Sequence, residues 1–204
     1  MTRLSQKLAN TLPRDNSPSA TRAKIVIRRN VLDAIGAEHA HVFDAFAGSG
    51  HMHAAVWSAA ASYVGCDEKF FRDDRLAYVA DNCRVMRAID LAPFNVFDFD
   101  AYGSPWEQVL ILIARRPLTA GERFGVVLTD GQGLNMRMGA TSTAFAKVAG
   151  IRAVLAGMGA ERDHLIDRAV GRLGWLMGAK IERRWEAHGK FGSAMRYIGL
   201  ILVA

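Results

Sequence analysis

The sequence predicts an α/β protein with a doubly wound, mostly parallel sheet that ends in a C-terminal antiparallel hairpin. Short apolar runs alternate with segments of helical periodicity along most of the chain, a pattern typical of a parallel sheet covered on both faces. Near the C-terminus, the apolar runs 179–187 and 194–203 are joined by a short connection, which predicts the hairpin. The 204 residues and 50% hydrophobic content are sufficient for one compact core.

The individual elements follow from apolar periodicity and from cap and breaker residues. Helices are predicted at 20–37, 52–62, 70–81, 106–116, 143–156 and 163–177. Strands are predicted at 41–47, 63–67, 94–100 and 124–129, before the hairpin. A further short strand is predicted at 85–90, although this segment could instead prolong the preceding helix.

Charge is distributed unevenly along the chain, which carries a net charge of +6. Residues 1–41 contain seven Lys and Arg against three acids, and residues 131–160 contain three basic residues and no acid. Residues 42–130 instead hold twelve acids against eight bases. Basic flanks could bind a polyanion such as nucleic acid. On charge alone, a merely solvated basic surface is an equally good interpretation.

Several classes of protein are disfavoured by composition. The N-terminus lacks the apolar core of a signal peptide, and the longest apolar runs fall short of the ~20 residues that span a bilayer. We therefore expect a soluble, cytoplasmic protein without membrane contact. Cys66 and Cys83 stand in no ligand spacing, so neither a disulfide framework nor a metal site is predicted.

A glycine turn follows the strand predicted at 41–47. Gly48 and Gly50 remove Cβ atoms where the chain turns from strand to helix, which lets backbone amides approach a ligand. The dinucleotide pattern GxGxxG is not completed, because its third glycine position is His53. This departure disfavours a nicotinamide-dependent oxidoreductase.

The sequence Asp-Ala-Phe-Ala-Gly-Ser-Gly at 44–50 resembles the DxFxGxG motif of class I S-adenosylmethionine-dependent methyltransferases. The resemblance implies a Rossmann-like fold and S-adenosylmethionine (SAM) as cofactor. It also implies that Asp44, Phe46, Gly48 and Gly50 contact the methionine end of that cofactor.

The next predicted strand, 63–67, resembles the second motif of the same family. The likeness implies that Asp67 holds the two ribose hydroxyls, a role suited to a carboxylate because it accepts two hydrogen bonds at once. Asp90, at the end of the possible strand 85–90, would match the acid that meets the adenine amino group in that family.

The strand predicted at 94–100 delivers a carboxylate and an aromatic ring to one point, in the sequence Asp-Phe-Asp-Ala-Tyr-Gly-Ser-Pro at 98–105. An exocyclic base amine is a poor nucleophile, because its lone pair is delocalised into the ring. A carboxylate could accept a hydrogen bond from the N–H group of the amine, and an aromatic ring could stack on the base. Together they would orient that amine for methyl transfer. We therefore predict Asp100 and Tyr102 as catalytic residues, with Asp98 in a supporting role.

The same segment resembles the DxDPFGSP signature of tRNA guanine-N2 dimethyltransferases. Two features depart from that family: Ala101 replaces the proline, and we expect these 204 residues to comprise the catalytic core without the family's C-terminal domain. The likeness implies a methyltransferase domain at 39–204 with a loop insertion at 131–160. Residues 1–38 are expected to form a basic N-terminal arm and helix.

The function predicted from the sequence is SAM-dependent N-methylation of an exocyclic base amine of nucleic acid, with a tRNA-like RNA favoured as partner. Because the same acid and ring would serve any exocyclic amine, a DNA adenine-N6 or cytosine-N4 methyltransferase stays open. So does a non-catalytic nucleic-acid-binding protein with a methyltransferase-like fold. No sequence signal sets the oligomeric state.

Overall fold

The computed structural model describes residues 18–69, 71–154, 156–189 and 195–204. The predicted arm before residue 18 and the connection at 190–194 lie outside these ranges. The helices are α1 (Pro18–Ile35), α2 (His51–Ala55), α3 (Asn82–Ala88), α4 (Trp106–Arg115), α5 (Gly133–Arg137), α6 (Thr143–Ala149) and α7 (Arg162–Leu176). The strands are β1 (His41–Asp44), β2 (Ser62–Asp67), β3 (Ala77–Val79), β4 (Val96–Phe99), β5 (Arg123–Asp130), β6 (Lys180–His188) and β7 (Arg196–Val203).

The strands form one seven-stranded sheet in the order β3-β2-β1-β4-β5-β7-β6. Strands β1 to β5 pair in parallel, whereas β7 pairs antiparallel with both β5 and β6. The predicted fold class is therefore confirmed. Because the parallel strands share a direction, Asp44, Asp67, Asp98 and Asp130 all lie near one edge of the sheet, the carboxyl edge.

Helices cover both faces of the sheet, and each face has its own buried apolar cluster. Phe97, Trp106 and Phe145 belong to the larger cluster, on the face covered by α4, α6 and α7. Helix α1 closes the other face, with Ile27 and Val31 buried against β5 and β7. Burying a large apolar side chain of this kind contributes roughly 1.5–3 kcal/mol, so α1 belongs to the core of the same domain.

Two glycines let α1 approach the sheet closely. A Cβ on Gly125 of β5 would lie 2.8 Å from Val31 Cγ1, and one on Gly199 of β7 would lie 2.9 Å from Ile27 Cγ2. Real Cβ atoms do not tolerate such contacts, so a side chain at either position would push the helix outward. This close packing brings the next turn of α1 down onto the carboxyl edge.

Most predicted elements are present, although the helix predicted at 52–62 ends at Ala55 and is followed by a 3₁₀ turn at 57–59. Two elements are wrong. The helix predicted at 70–81 is replaced by turns and the short strand β3. Asp73 accepts hydrogen bonds from both the backbone N–H and the side chain of Arg75, which stabilises a turn in place of a helix. The strand predicted at 85–90 is helix α3, which Asp81 caps by accepting the Arg84 N–H at 2.7 Å.

The predicted insertion at 131–160 contains two short helices. Helix α6 begins after Ser142, whose hydroxyl accepts the Phe145 N–H. It ends at Gly150, which adopts the left-handed conformation at φ 65°, so the helix does not continue to residue 156 as predicted.

Candidate functional site

The glycine turn at the end of β1 is shaped by Asp44. Its carboxylate accepts the Phe46 N–H at 3.1 Å and the Tyr63 hydroxyl at 3.0 Å. Burial raises the pKa of Asp44 to about 8, and the negative charge of Asp98 adds to the effect. Gly48 and Gly50 follow with φ of +46° and +82°, which glycine adopts without strain. In this geometry Asp44 holds the turn from beneath.

A cavity of about 340 Å³ opens where β1 and β2 end, within the size range of small-molecule sites. Asp67 lies in its wall and accepts the backbone N–H of Gly48 at 3.0 Å and of Lys69 at 2.8 Å. Each carboxylate oxygen can accept a second hydrogen bond, so Asp67 retains capacity toward a ligand. Phe46, predicted to contact the cofactor, also lines this cavity.

Two amide side chains form the far wall of the same cavity. Asn82 donates to the Ala45 carbonyl at 2.7 Å, and Gln108 donates to Asn82 Oδ1 at 2.8 Å. Gln108 Oε1 is buried and has no hydrogen-bond partner within the described part of the chain. A buried acceptor without a partner is costly, and a bound donor in the cavity would satisfy it.

Asp90 lies elsewhere. Because 85–90 is not a strand, this residue follows α3 and precedes β4, at the edge of the sheet opposite the carboxyl edge. Its exposed carboxylate accepts the Ala92 N–H. The acid that follows β3 at the carboxyl edge is Asp81, which lines the cavity. Asp90 therefore does not lie at a strand end as predicted, because the strand at 85–90 was misassigned.

Arg75 is a residue of this site that sequence reasoning missed. Its guanidinium donates to the carbonyls of Ala47 and Gly48 at 2.9 and 2.8 Å. A Cβ on Gly50 would lie 2.8 Å from Arg75 Nε, so this arginine and the glycine turn pack directly on each other. No motif marks Arg75, because it reaches the turn from a loop more than twenty residues away.

The strand end at β4 is anchored by a buried ion pair. Arg28 of α1 donates to both carboxylate oxygens of Asp98, at 2.6 and 2.8 Å, and Trp57 Nε1 donates to Asp98 at 2.7 Å. Burial opposes the charge of Arg28, but Asp98 and Asp100 outweigh it and raise the pKa of the arginine. Asp98 is fully buried, and these three hydrogen bonds fix its carboxylate at the end of β4.

Asp100 is held by two cations from the same helix. Lys24 Nζ lies 3.1 Å from one carboxylate oxygen and Arg28 lies 3.4 Å from the other. Burial alone would favour the neutral acid, but the charges of Arg28 and Lys24 outweigh it and lower the pKa of Asp100. The side chain is 16% exposed, so Asp100 is an anion with access to the surface. Neither cation was predicted to act on this acid.

Tyr102 projects from the turn after Asp100 and is 64% exposed. The turn is braced by the Gly131 N–H, which donates to the Gly103 carbonyl at 2.6 Å. Beside it lies a cavity of about 240 Å³, the acceptor cavity. Its lining includes Gly103, Ser104, Gly131, Gln132, Asn135, Met138 and Ser142.

The wall of the acceptor cavity is held by a buried hydrogen-bond relay. Gln132 donates its backbone N–H and its side-chain amide to Asp130 at the end of β5. The side-chain Oε1 of Gln132 in turn accepts hydrogen bonds from the Thr141 hydroxyl and the Ser142 N–H. A satisfied buried relay is rigid, so this segment is a preformed wall.

Among the described residues, no group of His, Cys, Asp and Glu could hold a metal ion. No described helix is long and apolar enough to cross a bilayer. Cys66 and Cys83 are buried free thiols.

Several solved structures with a similar architecture are methyltransferases. The chain is similar to Trm1 of Pyrococcus horikoshii in complex with S-adenosyl-L-methionine (TM-score 0.57, 16% identity), over 94% of this chain and 58% of that one. It is also similar to the N-methyltransferase NodS of Bradyrhizobium japonicum WM9 in complex with S-adenosyl-L-homocysteine (TM-score 0.56, 11% identity), over 98% and 96% of the two chains. An rRNA methylase from Streptococcus thermophilus matches with a TM-score of 0.51 at 10% identity, over 89% and 97% of the two chains. No protein-family model and no curated protein matches the sequence.

The chain therefore has the class I methyltransferase fold, and the resemblance read from the two strand-end motifs is confirmed at that level. It spans somewhat more than half of the Trm1 structure and nearly the whole of NodS.

Proposed function

We propose that this protein is a SAM-dependent N-methyltransferase that acts on an exocyclic base amine of nucleic acid. The observation that carries the proposal is the state of Asp100, an accessible carboxylate held as an anion by Lys24 and Arg28 next to the exposed ring of Tyr102. This pair lies at the same edge of the sheet as the glycine turn and the cavity beside Asp67.

The cavity beside Asp67 fits the adenosine part of the cofactor. Asp67 would accept the ribose hydroxyls, and the unpartnered Gln108 Oε1, with Asp81 nearby, offers acceptors to the adenine amino group. The turn through Gly48 and Gly50 would approach the methionine part. When bound, SAM supplies an electrophilic methyl group on a positively charged sulfur.

The chemistry required of the protein is orientation more than proton abstraction. Asp100 would accept a hydrogen bond from an N–H group of the amine, and this contact would direct the nitrogen lone pair toward the methyl group. Because two cations lower its pKa, Asp100 is a weak base, and the proton released after transfer would pass on to solvent. Tyr102 would stack on the base and hold its plane. Met138, which is 72% exposed, lines the acceptor cavity and offers a further apolar surface.

RNA is favoured over DNA as the substrate. Trm1 is a tRNA guanine-N2 methyltransferase and another similar structure is an rRNA methylase, which supports an RNA acceptor. The Asp100 turn shares most of its residues with the tRNA guanine-N2 dimethyltransferase signature, apart from Ala101 in place of proline and Tyr102 in place of phenylalanine. In DNA the same geometry would serve adenine N6 or cytosine N4.

The test combines cofactor binding with methyl transfer. SAM and S-adenosyl-L-homocysteine are expected to raise the melting temperature, and tritiated SAM is expected to label RNA when total tRNA, rRNA and DNA are assayed in parallel. Asp100→Asn should abolish labelling and leave SAM binding intact. Binding of nucleic acid with no response to SAM would instead identify a non-catalytic protein that keeps the fold.

A further inference from the structure

We propose that the groove between α4 and α6 binds a single-stranded segment of the nucleic acid, next to the target base. This inference rests on the proposed function and deepens it by naming the form of the substrate. The α4/α6 groove is a cavity of about 580 Å³ whose lining includes Ser104, Leu110, Arg115, Ser142, Ala144 and Lys147.

The groove is continuous with the acceptor cavity. Ser104 and Ser142 line both, and their hydroxyl oxygens lie 3.2 Å apart. A base placed in the acceptor cavity, against Gly103 and Ser104, would therefore have its flanking backbone at the mouth of the groove. One of these hydroxyl groups donates to the other, so the second keeps its O–H for a phosphate or ribose oxygen at this junction.

The charge of the groove fits a phosphate chain. Its cations are Arg87, Arg115 and Lys147, and its one acid, Glu107, is already paired with Arg87 at 2.9 Å. Arg115 and Lys147 are exposed and remain as a surplus of two positive charges. Cations placed along a groove bind nucleic acid through its phosphates.

The floor of the groove fits the bases and sugars between those phosphates. Leu110, Ile111, Ala114 and Ala144 form an apolar strip between the charged rims. Apolar side chains pack against base faces whatever the sequence, so the strip and the cations together match a polyanion with apolar rings.

A single strand fits better than a duplex. The groove follows α4, whose ten residues span about 15 Å. An exocyclic amine engaged in a base pair is also inaccessible to an enzyme until the base leaves the helix.

The experiment measures fluorescence anisotropy of a labelled single-stranded RNA of about eight nucleotides with the full chain, saturated with S-adenosyl-L-homocysteine, over a series of salt concentrations. Lys147→Glu and Arg115→Glu should each weaken binding about tenfold and reduce the salt slope by about one. Lys180→Glu, an exposed position on β6, changes the net charge equally and should bind like the unaltered protein. Lys147→Ala should give an intermediate loss, and melting curves verify that each variant is folded.

Three results would overturn the inference. The first is equal binding by Lys147→Glu, Arg115→Glu and Lys180→Glu. The second is RNA binding whose affinity does not depend on salt concentration, because binding through phosphates weakens as salt increases. The groove would then suit an uncharged partner, such as a peptide. The third is equal or tighter binding of a duplex of the same length. Failure of the unaltered protein to bind SAM in calorimetry would count against the proposed methyltransferase function, whereas intact SAM binding with any of these three results counts against the groove alone.

Discussion

Replacing Lys24 by methionine should move the acidic limb of the pH profile of methyl transfer to higher pH. In the structure Lys24 Nζ lies 3.1 Å from a carboxylate oxygen of Asp100, and the two side chains are only 14% and 16% exposed. Two unit charges at that distance attract each other by about 5 kcal/mol at an effective dielectric constant of about 20. Dehydration of the lysine and residual solvent screening offset part of this energy, which leaves about 1–4 kcal/mol.

Loss of that attraction raises the pKa of Asp100, so protonation would inactivate the enzyme at a higher pH. We expect the acidic limb of kcat/KM to shift by roughly one pH unit or more. At pH 8 the activity should change little, since Arg28 still faces Asp100. Arg28 itself is unsuitable for the test, because its loss would leave Asp98 buried and unpaired at a cost of about 3–5 kcal/mol.

The assay is initial-rate methyl transfer from tritiated SAM between pH 5 and pH 9, a range that brackets the expected limb. Lys24→Arg keeps the charge and should restore the original profile. Arg22→Met removes a cation from an exposed position of the same helix and serves as the matched control. If the Lys24→Met profile coincides with that of Arg22→Met, then Lys24 does not set the ionisation of Asp100 and the electrostatic argument is refuted.

Three further changes probe the rest of the site. Asp67→Asn should weaken SAM binding at least tenfold by calorimetry, because a charged hydrogen bond contributes about 1.5–3 kcal/mol. Asp90→Asn, at the opposite edge of the sheet, should leave SAM binding unchanged. Equal losses in the two variants would contradict the proposed role of Asp67. Tyr102→Ala should lower kcat/KM for the acceptor roughly 5- to 150-fold, the equivalent of about 1–3 kcal/mol of stacking. SAM affinity should stay intact, and Tyr102→Phe should recover the activity. A loss confined to SAM binding would argue against stacking. Because burial raises the pKa of Asp44 to about 8, above its unfolded value of about 3.9, its protonated form contributes stability that is present below pH ~4 and is lost as pH rises through ~8. In urea unfolding, Asp44→Asn should accordingly lose less stability between pH 5 and pH 8 than the unaltered protein. If the free energy of unfolding depends on pH in the same way for both proteins, then Asp44 does not cause the loss of stability.

Local patterns predicted the elements that are defined by their own residues. Strand β5 is an apolar run buried on both faces, and α4 begins after Pro105 and ends just before Pro117. Hydrophobic periodicity and the helix-breaking prolines were therefore sufficient to predict these two elements. The two misassigned elements fell at 70–90, where strand β3 has only three residues, all exposed. A strand that short carries no readable alternation, and its position depends on pairing with β2.

The site residues also divide into those marked by a local sequence pattern and those placed only by tertiary packing. Gly48, Gly50 and Asp67 lie at strand ends that the sequence itself marks, and the parallel sheet brings them together. Asp90 lies away from them, because its predicted position depended on the misassigned strand. Gln108 and Arg75 carry no motif, and they reach the cavity and the glycine turn only through the packing of α4 and of the loop before β3.

By itself, the sequence determined the fold class and the two strand-end turns, because apolar periodicity and glycine placement act over a few neighbouring residues. Only the tertiary structure decided the charge of the proposed catalytic acid. Arg28 and Asp98 are seventy residues apart and meet because β4 lies beside β5, under the helix that Gly125 and Gly199 allow to approach. The electrostatic field at Asp100 is a sum over groups that the fold assembles, and no local pattern encodes that sum.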